Sequence, residues 1–136
     1  MASYKDTFKE YLDKNEIRYE ENEEDIIVTY NCDNINLLPL FVSFDPDGDD
    51  LVQIFTYDVG GKVPEDKAEK VALTCNELND KYRWAKFCVE KSRYICMSLD
   101  AIVNMETVCD VCMRYIDIML DIGDEAHPIL MKAIWE

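Results

Sequence analysis

Between Ala68 and Leu99 the apolar residues of this chain change period with no linker in between, and no other feature restricts the fold as strongly. Ala68, Val71, Ala72, Cys75, Leu78 and Tyr82 fall at offsets 0, 3, 4, 7, 10 and 14, which trace one face of a helix. From Trp84 onward the pattern alternates, as in a strand. Pairing residues whose numbers sum to 184 leaves a three-residue loop, Lys91-Ser92-Arg93. Val89 then opposes Ile95, Phe87 opposes Met97 and Ala85 opposes Leu99 on one face, while Cys88 meets Cys96 and Lys86 meets Ser98 on the other. A shift of one residue would mix the faces, so this register is the expected one. Asn79 shares the helical stripe at offset 11, and its amide is therefore expected to be buried and hydrogen-bonded.

The flanking segments extend the pattern. Ser3 can cap a helix running to about Lys14, with Tyr4, Phe8, Tyr11 and Leu12 on one side and Asp6 in the first turn. Glu20-Glu-Asn-Glu-Glu-Asp25 holds five acids in six residues and reads as a solvated turn. Strands are expected over Ile26 to Tyr30, Leu38 to Phe44 and Leu51 to Tyr57. Pro39 limits the second near its start, and Asp45-Pro-Asp-Gly-Asp-Asp50 reads as a hairpin loop. The second helix is expected to open at Pro64. A third begins near Met105 to Thr107, with Val108, Cys112, Tyr115, Met119 and Ile122 inward. Gly123 and Pro128 are read as interruptions, leaving Ile129 to Trp135 as a short apolar terminal helix. The order α-β-β-β-α-β-β-α describes one α+β domain over residues 1–136, an antiparallel sheet of about five strands with helices packed on it.

Charge narrows the partners. Twenty-nine acids against 14 bases give a formal charge of −15. Residues 1–68 carry 17 acids and 6 bases (−11), and residues 69–136 carry 12 and 8 (−4). A field of that sign repels phosphates and anionic lipid, so direct nucleic-acid or membrane binding is not expected. No signal peptide is read in the first residues, where Lys5, Asp6, Lys9 and Glu10 break any apolar run. The six cysteines then read as reduced thiols in a cytoplasmic protein.

Asn76-Glu-Leu-Asn79, Tyr82-Arg83, the strand opening on Lys86-Phe87 and the ending His127-Pro-Ile-Leu-Met-Lys-Ala133 resemble the YbjN family. Its members are small bacterial proteins labelled sensory transduction regulators. The resemblance implies a fold like that of type III secretion chaperones and a tendency to form homodimers. It implies no catalytic signature.

The residues that could carry chemistry mostly have plainer readings. Cys109-Asp-Val-Cys112 spells C-x-x-C, which could serve a redox- or metal-responsive sensor. No second ligand pair stands at zinc spacing, however, and the pair lies inside an apolar helical face, so buried core thiols are expected. Asp45, Asp47 and Asp49 begin like a calcium loop, but Asp50 and Thr56 stand where an EF-hand needs Gly and Glu. There is no Gly-rich phosphate loop and no G-x-S-x-G, and His127 is the only histidine. No enzyme, metal or cofactor is therefore expected. Lys81, Arg83, Lys86, Lys91 and Arg93 form one basic island, offset only by Glu90. It reads either as a lysine-protected hairpin edge or as a docking surface for an acidic partner or a second copy. The expected function is regulatory or chaperone-like protein binding. An acidic nucleic-acid mimic that occupies a basic protein is a further reading from charge alone.

Overall fold

The computed structural model describes residues 3–45, 47, 49–57 and 59–136. Helix α1 spans Tyr4–Lys14, and the Ser3 hydroxyl caps it by accepting from the Asp6 amide at 3.0 Å. Strands β1 (Glu20–Glu21), β2 (Asp25–Tyr30), β3 (Leu38–Phe44) and β4 (Leu51–Thr56) follow. A 3-10 turn, Glu65–Lys67, leads into α2 (Ala68–Lys81), and then come β5 (Lys86–Val89), β6 (Ile95–Ile102) and α3 (Val108–Trp135). All six strands join one antiparallel sheet in the order β1-β2-β3-β4-β6-β5. The calcium-like loop falls partly outside the described residues, because Pro46 and Gly48 are not among them.

Alternation sets the two faces. Ile26, Val28, Leu40, Val42, Val52, Ile54, Met97 and Leu99 point to the helical layer and are buried. There they meet Phe8 and Leu12 of α1, Val71 and Leu78 of α2, and Ile116, Met119 and Leu130 of α3. The hairpin has the expected register, with Cys88 paired to Cys96 and Phe87 to Met97. Its turn ends on Arg93 at φ 69°, the left-handed position that closes a three-residue loop.

Asn79 does what its place on the stripe requires. β5 is an edge strand, and the Asn79 side chain takes the place of a missing neighbour along it. Its Oδ1 accepts from the Phe87 amide at 2.6 Å and its Nδ2 donates to the Phe87 carbonyl at 2.9 Å. The exposed backbone of an edge is thereby closed to strand addition at that residue.

Three expectations change. The acidic run is not a plain turn, because Glu20–Glu21 pairs with Ile27 and Ile26 as the sixth strand. Lys9 and Lys5, four apart on α1, lie 2.9 and 3.7 Å from the Glu21 carboxylate and offset the repulsion. Asn22 Oδ1 then accepts from the Glu24 and Asp25 amides and turns the chain into β2. The second helix, for its part, begins at Ala68 after the 3-10 turn rather than at Pro64.

The third change is at the C-terminus, where Gly123 and Pro128 do not divide α3. A Cβ on Gly123 would stand 2.9 Å from Met97 Cε and 3.5 Å from Leu38 Cδ2, so its glycine lets the helix approach the sheet closely. Pro128 cannot donate to the Asp124 carbonyl four residues back. Asn34 does so instead: its Nδ2 donates to that carbonyl at 3.0 Å, and its amide donates to Asp124 Oδ1 at 2.7 Å. Leu130, Ala133 and Ile134 are consequently buried in this domain's own core.

Candidate functional site

One face of the sheet carries the helices. The other is open, and its residues can be followed in rows from the strand pairings. One row reads Glu20, Ile27, Phe41, Phe55, Ser98, Lys86 across all six strands. The row beside it contains Thr29 and Pro39, then Cys96 and Cys88, and on the other side lies Asp25, Ser43, Gln53, Asp100. The centre of the open face is therefore apolar and its margins are charged.

The rings at the centre pack on each other. Phe41 stacks on Phe55 with centroids 5.2 Å apart at 11°, and Tyr57 meets Phe55 edge-on at 5.5 Å and Phe41 at 6.4 Å. No helix covers them, and Tyr57 and Tyr94 stay 42% and 41% exposed. Pro39, Phe41, Tyr57, Ser92 and Tyr94 enclose a hollow of about 410 Å³. A second hollow of about 780 Å³ continues towards β1, lined by Ile27, Thr29 and Leu37, by the acids Asp13, Glu16, Glu20 and Glu21, and by Arg18. Burial first, then Glu90, Cys96 and Asp25, raise the Tyr57 hydroxyl above its ordinary pKa, so the ring keeps a neutral, donating tip.

Leu37, at the rim of the second hollow, pays twice for its position. It sits at φ 54° and is 63% exposed, although a branched apolar side chain suits neither setting. Leu37→Asn should raise the unfolding free energy by about 1 kcal/mol, because asparagine tolerates the left-handed region. A higher urea midpoint is the expected result, and a lower one would show that the leucine holds the loop together.

The basic island is spread over three elements. Lys81 pairs with Glu125 of α3 at 3.0 Å and lies 5.2 Å from the Tyr82 ring centroid. Lys86 Nζ donates to the Asn79 and Tyr82 carbonyls at 3.0 and 3.1 Å, where it caps the end of α2. Arg83 lies past that end, beside the half-exposed Trp84. Lys91 and Arg93 stand in the β5–β6 turn, next to the hollow that Ser92 and Tyr94 line. The structure thus commits two of the five cations to the helical layer and sets two at a corner of the open face.

Cys109 and Cys112 lack the environment of a redox pair. Cys112 is fully buried and burial pushes its thiol up to about 12, while Cys109 is half-buried and also raised, mainly by burial. A redox motif needs the opposite shift. Among the described residues no group of three or more His, Cys, Asp or Glu is arranged to hold a metal. His127 points its Nδ1 at the Val59 carbonyl at 2.5 Å and pins α3 to the segment after β4. No helix among the described residues is long and apolar enough to cross a membrane.

The aromatic face was missed by sequence reasoning. Its signal was present in β3 and β4, whose outward positions Phe41, Phe55 and Tyr57 are as apolar as their inward ones.

The described residues thus form an α+β domain with one helical layer and one uncovered sheet face. Residues 4–128 match the family YbjN, described as "putative bacterial sensory transduction regulator", and the chain belongs to that family. No curated protein matches it.

Proposed function

We propose that this domain acts without catalysis, by binding a protein chain in a regulatory or chaperone-like manner, and that the open sheet face is the surface it uses. The observation that carries the reading is the uncovered ring cluster of Phe41, Phe55 and Tyr57 on a sheet whose other face is fully packed. Aromatic side chains give large contact area at low entropic cost, and such clusters supply the centres of interfaces. Lys91 and Arg93 give this face a cationic corner that steers an acidic segment towards it, while Lys81 and Lys86 are engaged by Glu125 and by the end of α2. The reading places the protein in the cytoplasm, where its six thiols stay reduced.

The test compares affinity purification from the native cell with the wild-type chain and with a Phe41→Ser/Tyr57→Ser variant. Both side chains are outward, so the variant should keep its melting midpoint within a few degrees. A foreign protein recovered with the wild type and lost with the variant is the expected result. Equal recovery with both would contradict the proposed surface.

A further inference from the structure

Strand pairing sets two of the six cysteines face to face, Cys88 on β5 and Cys96 on β6. They end the row of the open face that begins with Thr29 and Pro39, and they border the ring cluster, since Cys96 is among the groups that raise the Tyr57 hydroxyl. Cys88 is exposed, whereas Cys96 is buried. Burial first, then Cys88 and Glu90, push the Cys96 thiol up to about 12, so it keeps its proton at neutral pH. One thiol meets solvent and the other stands behind it. We propose that Cys88 and Cys96 form a peroxide-responsive oxidation site, in which Cys88 reacts first and Cys96 then closes a reversible cross-strand disulfide. The chemistry of the pair is independent of whether the open face binds a chain.

The backbone settles what kind of pair this is. Phe87 turns its amide and carbonyl outward to Asn79, while the Glu90 amide donates to the Tyr94 carbonyl at 3.0 Å. These directions alternate along a strand, so Cys88 turns its own groups towards β6 and forms a hydrogen-bonded pair with Cys96. The Cα atoms of such a pair lie about 5.5 Å apart, inside the range of roughly 4.4–6.8 Å that a disulfide spans. Their Cβ atoms are farther apart than in the alternate pairs, so closing the bond pulls the strands from their resting geometry. A disulfide made under that strain is readily reduced. In a reducing compartment the pair therefore rests as thiols and closes only while oxidant is present.

The atoms balance with hydrogen peroxide as the oxidant. The Cys88 thiolate attacks one peroxide oxygen, the O–O bond breaks, and the departing hydroxide takes up a proton to leave as water. Cys88 is then a sulfenic acid. The Cys96 sulfur attacks Cys88 Sγ, the S–O bond breaks, and the Cys96 proton leaves with the hydroxyl as a second water. Two thiols have lost two electrons, and one peroxide has become two waters. A dithiol or two molecules of a monothiol reverse the step by thiol–disulfide exchange. A small neutral oxidant suits the site because a chain of −15 repels anionic disulfides.

Cys75 is the competing partner, for burial first and then Cys88 push its thiol up to about 11. It belongs to the helical layer, however, and Phe87 and Val89 turn towards that layer while Cys88 between them turns away. Cys109 and Cys112 compete less well, since neither is exposed.

The test adds a single equivalent of hydrogen peroxide to the dilute, reduced full chain at neutral pH. Remaining thiols are alkylated in denaturant and the linkage is mapped by mass spectrometry. The wild type should lose two of its six thiols within one chain, with Cys88 and Cys96 in one linked peptide pair. It should recover both in a glutathione buffer of cytosolic composition. Cys96→Ser should instead hold Cys88 as a sulfenic acid, giving about tenfold more dimedone adduct than the wild type. Cys88→Ser changes an exposed side chain, should keep its circular dichroism, and should protect Cys96 from the same dose. Cys75→Ser should behave as the wild type. A bond from Cys88 to Cys75 or to a second chain, first oxidation at Cys109 or Cys112, or equal loss of the Cys96 thiol in Cys88→Ser would each overturn the assignment. A bond that survives the glutathione buffer would overturn its reversibility. The wild-type linkage map decides the pairing even if Cys96→Ser fails to fold.

Discussion

Asn79→Leu is expected to lower the unfolding free energy by about 2–3 kcal/mol, although leucine is the better helix former and the position lies on an apolar stripe. The amide holds both backbone groups of Phe87 on the uncovered edge of β5, at 2.6 and 2.9 Å. Leucine would leave both groups unpaired beneath α2, where water reaches them poorly. Only part of the cost is offset by the added apolar contact. The Lys86 cap on the Asn79 carbonyl is a backbone contact and survives the change. Urea unfolding followed by circular dichroism measures the effect. A midpoint within error of the wild type would show that the edge is held by other contacts.

Pro128→Ala is the second large effect and has the opposite sign. Proline inside a helix costs about 3 kcal/mol relative to alanine when nothing compensates. Here Asn34 already satisfies the stranded Asp124 carbonyl, so the expected gain is smaller, about 1–2 kcal/mol. The two sites are therefore coupled. Asn34→Ala should destabilise the wild type, yet the loss should shrink in the Pro128→Ala background, where the alanine N–H bonds Asp124 in the ordinary helical way. Equal costs of Asn34→Ala in both backgrounds would separate the loop amide from the proline.

Much of the fold was legible because local signals agreed. Ser3 capped α1 as its hydroxyl suggested, β3 ran from Leu38 to Phe44 as expected, and the hairpin took the register in which its apolar residues share a face. The misreadings share one cause: local sequence does not contain the distant partner. Pro128 looked like a helix end because Asn34, 94 positions earlier, is what makes it tolerable. Glu20 and Glu21 looked like a turn because Lys5 and Lys9 act on them from another element. The basic island was legible as a run of charge. Its division between a helix cap at Lys86, an ion pair at Lys81 and an open corner at Lys91 and Arg93 depends on where α2 and α3 come to lie. The aromatic face stayed hidden for a related reason. Apolar residues on both sides of a strand imply burial on both sides, and only the topology shows that every helix lies on one side.

Site-specific photo-crosslinking in the native cell tests the central claim, that the open sheet face is the binding surface, most directly. A benzophenone side chain placed at Tyr57, among the rings, is compared with one at Leu73, which is 62% exposed on the outer side of α2. The account predicts a discrete adduct heavier than 15.9 kDa from position 57, to a second copy or to a foreign chain, and none from position 73. An adduct from position 73 with position 57 silent would contradict it and move the working surface to the helical layer.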